Sequence, residues 1–255
     1  MNPTQFHKRH PFGYVTILEV TVILVYLLAG TLAYLLNLSN IALYGLANFT
    51  LTLIVIIILT SNKLWHPIGF RAPKHRKDLL FFLVPLLPML VNFIPGVEFK
   101  DPVYVSEVLA ITLMVGFVEE GIFRGLMLNA LKARGTWRAA ITTALLFGLT
   151  HALNALTGKN LLDNFLQIGY ATAIGFAFAA LVLKKEILWP LVLIHTFTDF
   201  VNFIQKPGFT LSSSWQIAIL AGLTTIFTAY GIYLLRHKTQ ASDSTTAMPI
   251  SLHHV

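Results

Sequence analysis

The chain has 255 residues, of which 56% are hydrophobic and 11% are charged, and its formal net charge is +7. Soluble domains carry about 25% charged residues, so this composition excludes an ordinary soluble protein and indicates an integral membrane protein. The sequence contains no cysteine, which excludes disulfides, thiol nucleophiles, thiolate metal sites and a lipidated cysteine. The positive charge does not indicate a nucleic-acid partner, because basic residues in a membrane protein mark cytoplasmic loops more often.

Eight apolar stretches are predicted, in chain order, to be transmembrane helices of an all-α bundle in a lipid bilayer. They cover about 14–36, 41–59, 79–94, 103–131, 139–156, 162–183, 187–204 and 215–235. The first is long and lacks a small-residue cleavage site, which predicts a retained helix rather than a signal peptide. The third is short and contains Pro85 and Pro88, which predicts a kink. We expect one transmembrane domain over 1–238, with a motif core at 103–204, and a disordered polar tail at 239–255.

The basic residues of the loops predict the orientation of these helices. With the N-terminus in the cytoplasm, three Lys residues fall outside (Lys100, Lys159 and Lys206) and Arg124 lies within a helix. The other 14 of the 18 Lys and Arg residues fall on the cytoplasmic side: Lys8, Arg9, Lys63, Arg71, Lys74, Arg76, Lys77, Lys132, Arg134, Arg138, Lys184, Lys185, Arg236 and Lys238. Because cytoplasmic loops are enriched in Lys and Arg, we expect both termini to be cytoplasmic.

The fourth predicted helix carries three charged residues in its interior, Glu119, Glu120 and Arg124. A charged group near the centre of a membrane helix costs about 2.5–3.5 kcal/mol on insertion scales, so it normally persists only where it is paired and used. Glu120 and Arg124 are spaced i,i+4 and are predicted to pair along one helix face. Glu119 is rotated by about 100° from Glu120 and is free to face another partner.

Two further helices supply such partners. The fifth predicted helix carries His151, and the seventh carries His195 and Asp199 one turn apart. Counting about 1.5 Å of rise per residue from the cytoplasmic ends places these groups at the depth of Glu119, near the midplane. A single membrane histidine or Glu–Arg pair is often structural, but this combination at one depth favours a functional site. The remaining polar residues of the helices are assigned no function: Glu19, Asn92, Glu107, Asp163 and Gln167.

Two carboxylates and two imidazoles suit hydrolysis of an amide by an activated water. In this interpretation Glu119 is the general base, His151 shares the water with it, and His195 donates a hydrogen bond to the developing oxyanion. No serine lies in a nucleophile-elbow context. The same residues could instead hold zinc, since two histidines and a carboxylate with an open position form a zinc hydrolase set. The His-Glu-x-x-His signature is absent, so the sequence leaves metal dependence open.

Three motifs occur in order on predicted membrane helices: Glu-Glu-x-x-x-Arg at 119–124, Phe-x-x-x-His at 147–151 and His-x-x-x-Asp at 195–199. Together they resemble the CPBP (Abi) family of CAAX prenyl proteases and bacteriocin-processing proteins, which are intramembrane endopeptidases. The part that carries the motifs covers about two fifths of the chain. Phe-Arg-Gly after the glutamates and Leu-Phe-Gly before His151 also fit the family pattern.

The resemblance implies a role for each of the six residues. Glu119 and His151 would activate the water, Glu120 and Arg124 would support that site, and His195 and Asp199 would form the oxyanion side. The last position is Asn in the prenyl-protease branch and often Asp in bacterial members. An Asp199 carboxylate would repel an oxyanion, so it must be protonated or serve to orient His195. Family members are described both as glutamate-dependent and as metalloproteases.

We therefore expect a polytopic intramembrane endopeptidase in a prokaryotic plasma membrane, with a peptide or membrane protein as substrate. A prokaryotic source would lack prenylated CAAX proteins, so bacteriocin immunity, peptide maturation and regulation of a signalling partner are the family-level roles. No cofactor is favoured, and zinc is the alternative. Two non-proteolytic alternatives are a membrane scaffold or immunity protein and a proton-coupled transporter, which could also use carboxylates and histidines at the midplane.

Overall fold

The computed structural model describes residues 6–99, 101–157, 160–209 and 211–246. Within these ranges every regular element is helical, and the only pairing of the β type is an isolated bridge between Val97 and Gln205. The all-α class is thereby confirmed. The α-helices are α1 (Phe6–Arg9), α2 (Pro11–Leu35), α3 (Asn40–Ser61), α4 (Leu87–Asn92), α5 (Pro102–Glu119), α6 (Leu128–Leu131), α7 (Thr136–Thr150), α8 (Leu161–Lys185), α9 (Trp189–Phe203) and α10 (Ser213–Thr246).

Five helical segments of the described residues are long and apolar enough to cross a membrane: Pro11–Leu35, Ile41–Ser61, Pro102–Arg134, Leu161–Lys185 and Ser213–His237. The chain is thus a multi-pass integral membrane protein. They coincide with five of the eight predicted spans. Two of the other three correspond to α7 and α9, which have 15 residues each. At about 1.5 Å per residue these helices are shorter than a hydrocarbon core of about 30 Å.

The third predicted span differs from the kinked α-helix that we expected. It consists of 3₁₀ turns over Arg76–Phe82 and Val84–Leu86, followed by α4. Pro85 and Pro88 lack an N–H group and cannot complete an α-helical ladder, which accounts for the tighter turns. The segment still runs beside α9, because the Asn92 side-chain amide donates to the Thr198 backbone carbonyl at 3.0 Å. The backbone carbonyl of Asn92 accepts from the Gln205 side-chain amide at 2.9 Å.

Helix α8 lies at the centre of the bundle, with α7 on one side and α10 on the other. Small residues allow both contacts: a Cβ on Gly148 of α7 would lie 2.9 Å from the Ile168 carbonyl, and one on Gly231 of α10 would lie 3.3 Å from the Cα of Ala177. Ala171 and Ala179 of α8 are likewise buried. Because small side chains let helix backbones approach closely, α8 is a rigid support for the elements around it.

The loop after α3 docks on the turn between α8 and α9. The Gly69 carbonyl accepts from the Leu188 N–H at 2.9 Å, and a Cβ on Gly69 would lie 2.8 Å from the Leu188 nitrogen. Gly69 also has a φ of 109°, so both its conformation and its contact require glycine. This contact brings two stretches rich in Lys and Arg together at one end of the bundle.

Ion pairs tie these two stretches together. Glu186, directly after α8, pairs with Arg71 and with Lys74, the latter at 3.1 Å. The Lys185 ammonium lies 2.6 Å from Asp78, and both side chains are partly exposed. The Lys185 ammonium donates to Asp78 and holds the pKa of that carboxyl below its usual value. The Lys74 ammonium and the Arg71 guanidinium likewise lower the pKa of Glu186.

The C-terminal segment predicted to be disordered, 239–255, overlaps α10, whose described backbone ends at Thr246. Residues 247–255 of that prediction lie outside the described residues.

Replacing Asp78 with Asn should lower the thermal stability of the detergent-solubilised protein, because Lys185 loses its anionic partner. We expect a loss of at most about 1 kcal/mol, as for a partly exposed pair. The Asp78 pKa is depressed in the folded state, so its contribution is present above the unfolded pKa of about 3.9 and is lost as the pH falls through the folded value. The difference between the two proteins should thus be present at neutral pH and vanish in acid. Lys77→Gln, which removes a neighbouring exposed charge, is the control and should leave the unfolding temperature unchanged.

Candidate active site

The Glu-Glu-x-x-x-Arg motif lies where α5 changes its helical type. α5 ends at Glu119, and Glu120–Met127 forms a π-helix that continues into α6. The sequence predicted a regular α-helix here, so this is a correction. Gly121 and Gly125 lie within the π segment, and glycine weakens the preference for α-helix. Short π segments are rare and occur frequently at functional sites.

The buried centre of the site is the Glu120 carboxylate. Its Oε1 accepts from Arg124 Nη1 at 3.2 Å and from His195 Nδ1 at 2.9 Å. The Glu120 side chain has no exposed surface, and that of Arg124 is 1% exposed. The predicted i,i+4 pair is therefore present, and it also reaches a third partner from α9. Since a carboxylate can only accept, His195 Nδ1 carries the proton of this hydrogen bond.

Aromatic rings surround the Arg124 guanidinium. Its Cζ lies 3.9 Å from the centroid of the Phe147 ring and 5.5 Å from that of Phe178. A Cβ on Gly175 of α8 would lie 3.1 Å from Arg124 Nη2, so the absence of a side chain there makes room for the cation. Burying a cation against ring faces in addition to a carboxylate compensates for its lost hydration.

Glu119 has a different environment from its neighbour. Its Oε2 lies 3.6 Å from His195 Nε2, and its side chain is 21% exposed. Asp199, one turn further along α9, has its Oδ2 3.5 Å from the same nitrogen and is 34% exposed. The two nitrogens of the His195 ring thus have different partners. Nδ1 donates to the buried Glu120 carboxylate, and Nε2 lies near the Glu119 and Asp199 carboxylates, which border a cavity.

His151 lies at the junction of α7 with the 3₁₀ turns His151–Thr157. Its Nδ1 is 2.9 Å from the Phe147 carbonyl oxygen. A carbonyl oxygen only accepts, so the proton is on Nδ1 in the neutral ring, and Nε2 is left as an acceptor. The ring also packs edge-on against Phe147 with centroids 4.9 Å apart. The carbonyl and the ring of Phe147 therefore fix the orientation of His151.

Gly116 sets the distance between α5 and α9. A Cβ at this position would lie 2.7 Å from Thr196 Oγ1 and 2.8 Å from the Val192 carbonyl oxygen. Gly116 precedes the two glutamates by one turn, and Thr196 follows His195. Their backbone-to-backbone approach is therefore what brings Glu119 and Glu120 within reach of the imidazole.

Three cavities in the described part of the chain meet at these residues. One of about 20 Å³ is lined by Glu119, His151, Tyr26 and Phe147, among others, and is large enough for a single water molecule. One of about 140 Å³ lies on the side of Glu120, Arg124 and Asp199. The largest, of about 810 Å³, is bordered by Glu119, His151, His195 and Asp199. The structure thus gathers all six predicted site residues around connected space.

Two of the residues that were assigned no function contribute to the walls of the site. Glu19 of α2 accepts a hydrogen bond from Thr150 Oγ1 at 2.8 Å, directly before His151. Gln167 of α8 accepts from Asn154 at 3.0 Å and borders the two larger cavities. Nothing in the sequence pattern signalled either contact.

The site does not present a compact ligand set for a metal. Among the described residues, no group of three or more His, Asp and Glu side chains is arranged so that it could hold one ion. Nδ1 of each histidine is already engaged, with Phe147 in one case and with Glu120 in the other. In this arrangement the two remaining Nε2 atoms would be the imidazole ligands of a zinc ion.

The family model described as type II CAAX prenyl endopeptidase Rce1-like matches residues 101–201. The matched segment contains the three motifs and corresponds to the predicted motif core, so the resemblance drawn from the motifs is confirmed over that segment. The family is one of proteases. Comparison with curated proteins finds no significant match, and neither does comparison with solved structures.

Replacing Gly116 with Ala should force α5 and α9 apart, because two atoms of α9, one of them a backbone carbonyl oxygen, lie less than 3 Å from the new methyl group. Overpacking of this kind typically costs about 1–3 kcal/mol, so the unfolding temperature in detergent should fall. Gly169→Ala on α8, where nothing lies within 4 Å of the new Cβ, is the matched control. It should be neutral or slightly stabilising, since alanine favours helix. Equal unfolding temperatures for the two variants would contradict the tight α5–α9 contact.

Proposed function

We propose that this chain is an intramembrane endopeptidase that hydrolyses a peptide bond with an activated water, because the family model of type II CAAX prenyl endopeptidases matches residues 101–201. The observation that carries the proposal is the water-sized cavity bordered by Glu119 and His151, with the Glu119 carboxylate 3.6 Å from His195 Nε2. Catalysis of amide hydrolysis needs a general base that activates water and a donor that stabilises the oxyanion. Glu119, assisted by His151, would be the base, and His195 would be the donor.

In the proposed reaction, Glu119 removes a proton from the water, while the His151 Nε2 accepts the water's other hydrogen bond. The water oxygen forms a bond to the carbonyl carbon of the substrate and converts its oxygen to an oxyanion. Glu119 then returns the proton to the amide nitrogen as the carbon–nitrogen bond breaks. The products are a carboxylic acid and an amine, so no covalent intermediate with the protein is needed.

His195 is the proposed oxyanion donor. Its Nδ1–H is committed to Glu120 at 2.9 Å, so donation to the substrate requires a second proton on Nε2. The carboxylate of Asp199, 3.5 Å from Nε2, supports that protonated form and orients the ring. This assigns Asp199 a positioning role, in which the substrate oxygen replaces it as the partner of Nε2.

Glu120 and Arg124 are proposed to be positioning residues. Both are fully buried, and neither side chain borders the water-sized cavity. Arg124 balances the charge of Glu120, and Glu120 fixes the His195 tautomer and ring orientation. A second set of fixed hydrogen bonds behind reacting groups is a general requirement for a precise site.

We propose that the reaction is metal-free, with zinc hydrolysis as the competing route. Arg124 and His195 already compensate the charge of the buried carboxylate, and the engaged Nδ1 atoms leave one nitrogen per histidine. A zinc ion, if bound, would polarise the substrate carbonyl or lower the pKa of a bound water. The residues then at hand would be Glu119, His151 and His195.

Topology and biological role are further parts of the proposal. We propose eight membrane passages with both termini in the cytoplasm of a prokaryotic plasma membrane, on the basis of the distribution of Lys and Arg over the loops. The ion-paired loops around Asp78 and Glu186 then lie on the cytoplasmic side. The substrate is a peptide or membrane protein other than a prenylated CAAX protein, in bacteriocin immunity or in peptide maturation.

Replacing Glu119 with Gln should abolish hydrolysis, because an amide cannot take a proton from water. The same fold should be retained, since Gln has the same size and the side chain borders a cavity. Substrates captured by a Glu119→Ala protein and identified by mass spectrometry would supply the peptide for a cleavage assay. Glu107→Gln, an exposed carboxylate on the same helix, is the control and should keep full activity. A fully active Glu119→Gln protein would exclude Glu119 as the general base, whereas an unaltered protein that cleaves none of the captured peptides would favour the scaffold function.

Replacing His195 with Ala should lower the turnover rate by about 10²–10³, the range observed when one oxyanion donor is removed. The effect should lie in kcat more than in KM, because the hydrogen bond strengthens only as the oxyanion forms. Steady-state kinetics on the captured substrate would measure both. A rise in KM alone would indicate a binding role instead.

Chelation distinguishes the two routes. In the metal-free route, chelators leave the activity of the purified protein unchanged, and metal analysis finds less than one equivalent of zinc per chain. In the metal route, activity and zinc are lost together and added zinc restores both. The second result would overturn the metal-free mechanism without removing Glu119 from the site.

A further inference from the structure

The largest cavity extends from the site toward one end of the bundle. On α5 it is lined from Glu119 back to Ile111, which lies about 12 Å away at 1.5 Å per residue. On α9 it is lined from His195 forward to Phe203, the last residue of that helix. Both directions lead away from the buried Glu120 and toward the N-terminal end of α5.

The other walls of the cavity run the same way. They are formed by the C-terminal half of α2, the turn after it and the first turn of α3, through residues that include Leu27, Thr31, Tyr34, Asn37 and Tyr44. Tyr34 is 83% exposed, so the cavity reaches the surface at this end. Its volume of about 810 Å³ lies in the range of about 300–1,000 Å³ that is typical of binding pockets.

The opposite end of the bundle is closed by apolar packing. Beyond Arg124, the π segment contributes Leu126, which packs in one buried cluster with Ile68 of the docked loop and Leu188 before α9. All three are at most 3% exposed. A Cβ on Gly125 would lie 2.8 Å from the Ile68 side chain, so little space is left between the helix and the loop.

Ion pairs cover this apolar layer at the same end. They are the contacts of Glu186 with Arg71 and Lys74 and of Asp78 with Lys185. The closed end of the bundle is therefore the end at which Lys and Arg are concentrated. By the positive-inside bias that end faces the cytoplasm, which leaves the open end on the other side of the membrane.

We propose that the site is entered from the non-cytoplasmic side of the membrane, by an extended segment of an exported or membrane-anchored polypeptide. This inference rests on the proposed function and adds the side of entry and the class of substrate. The cytoplasmic layer of Leu126, Ile68 and Leu188 then separates the hydrolytic water from the cytoplasm.

The charges of the cavity narrow the class of substrate further. Glu119 and Asp199 border it together with His195, and among its described lining residues there is no Lys or Arg. Arg124 balances Glu120, so a protonated His195 offsets one of the two lining carboxylates and one negative charge remains in excess. In an environment of low dielectric constant these carboxylates repel a negatively charged side chain or a free C-terminal carboxylate. The segment that binds is thus neutral or cationic, and the bond that is cut lies in the interior of a chain.

The chain has no cysteine, so single cysteines can test the side of entry without a background. Val115→Cys places a thiol inside the cavity, one turn from Glu119, and Leu113→Cys places one on the same helix at an exposed position outside it. We expect a membrane-impermeant methanethiosulfonate added to spheroplasts to label Val115→Cys and not Leu113→Cys. In sealed inside-out vesicles neither should react. Arg134→Cys, on the cytoplasmic side, should show the reverse dependence.

Reagents of opposite charge test whether the cavity favours cations over anions. At Val115→Cys, a cationic methanethiosulfonate should react at least about tenfold faster than an anionic one, after correction by the ratio for Arg134→Cys in inside-out vesicles. An equal or faster reaction of the anionic reagent would overturn the assigned substrate charge.

Each labelling result bears on the proposal. Reaction of Val115→Cys only from the cytoplasmic side, or from neither side, would overturn entry from outside, as would labelling of Arg134→Cys in spheroplasts. These readouts need no substrate and no turnover. The proposed function fails instead if the unaltered protein cleaves none of the captured peptides, and that outcome leaves the labelling pattern as it is.

Discussion

The Glu120 carboxylate, shared between Arg124 and His195, is the interaction on which the rest of the site depends. A buried ion pair is costly to desolvate, and breaking it by removing one partner leaves an uncompensated charge. Here the pair is placed where three helical elements meet, so its geometry fixes α9 against the π segment. In return for the cost of desolvating these charges, the His195 imidazole is held in a fixed orientation.

Small residues make this arrangement possible. Gly116 lets α5 touch the backbone of α9, and Gly175 leaves room for the Arg124 guanidinium beside Phe147. A methyl group at Gly116 would press on the backbone of α9, and one at Gly175 would crowd the Arg124 guanidinium and the Phe147 ring. These glycines lower the local preference for helix but are needed for tertiary packing. Such a conflict between local preference and tertiary structure is expected at functional sites.

The sequence predicted the composition of the site better than its construction. Charges within apolar helices are rare and conspicuous, and the helical rise was enough to place Glu119, His151 and His195 at one depth. The π segment, the contact of Gly116 and the pairing of Glu19 with Thr150 could not be predicted, because they depend on which helices become neighbours. The third segment was predicted in part: Pro85 and Pro88 predicted an interrupted helix, but not that the interruption would consist of 3₁₀ turns.

Two adjacent glutamates acquire opposite environments through one step along a helix. A rotation of about 100° per residue directs Glu120 toward Arg124 and leaves Glu119 at the border of the water-sized cavity and the large one. A pair of carboxylates with separate environments can divide the work of charge support and of proton transfer. Beyond Arg124, Leu126 packs in an apolar layer with Ile68 and Leu188, whereas the cavity of about 810 Å³ borders Glu119. The site thus reaches the surface at one end of the bundle and is packed with apolar side chains at the other.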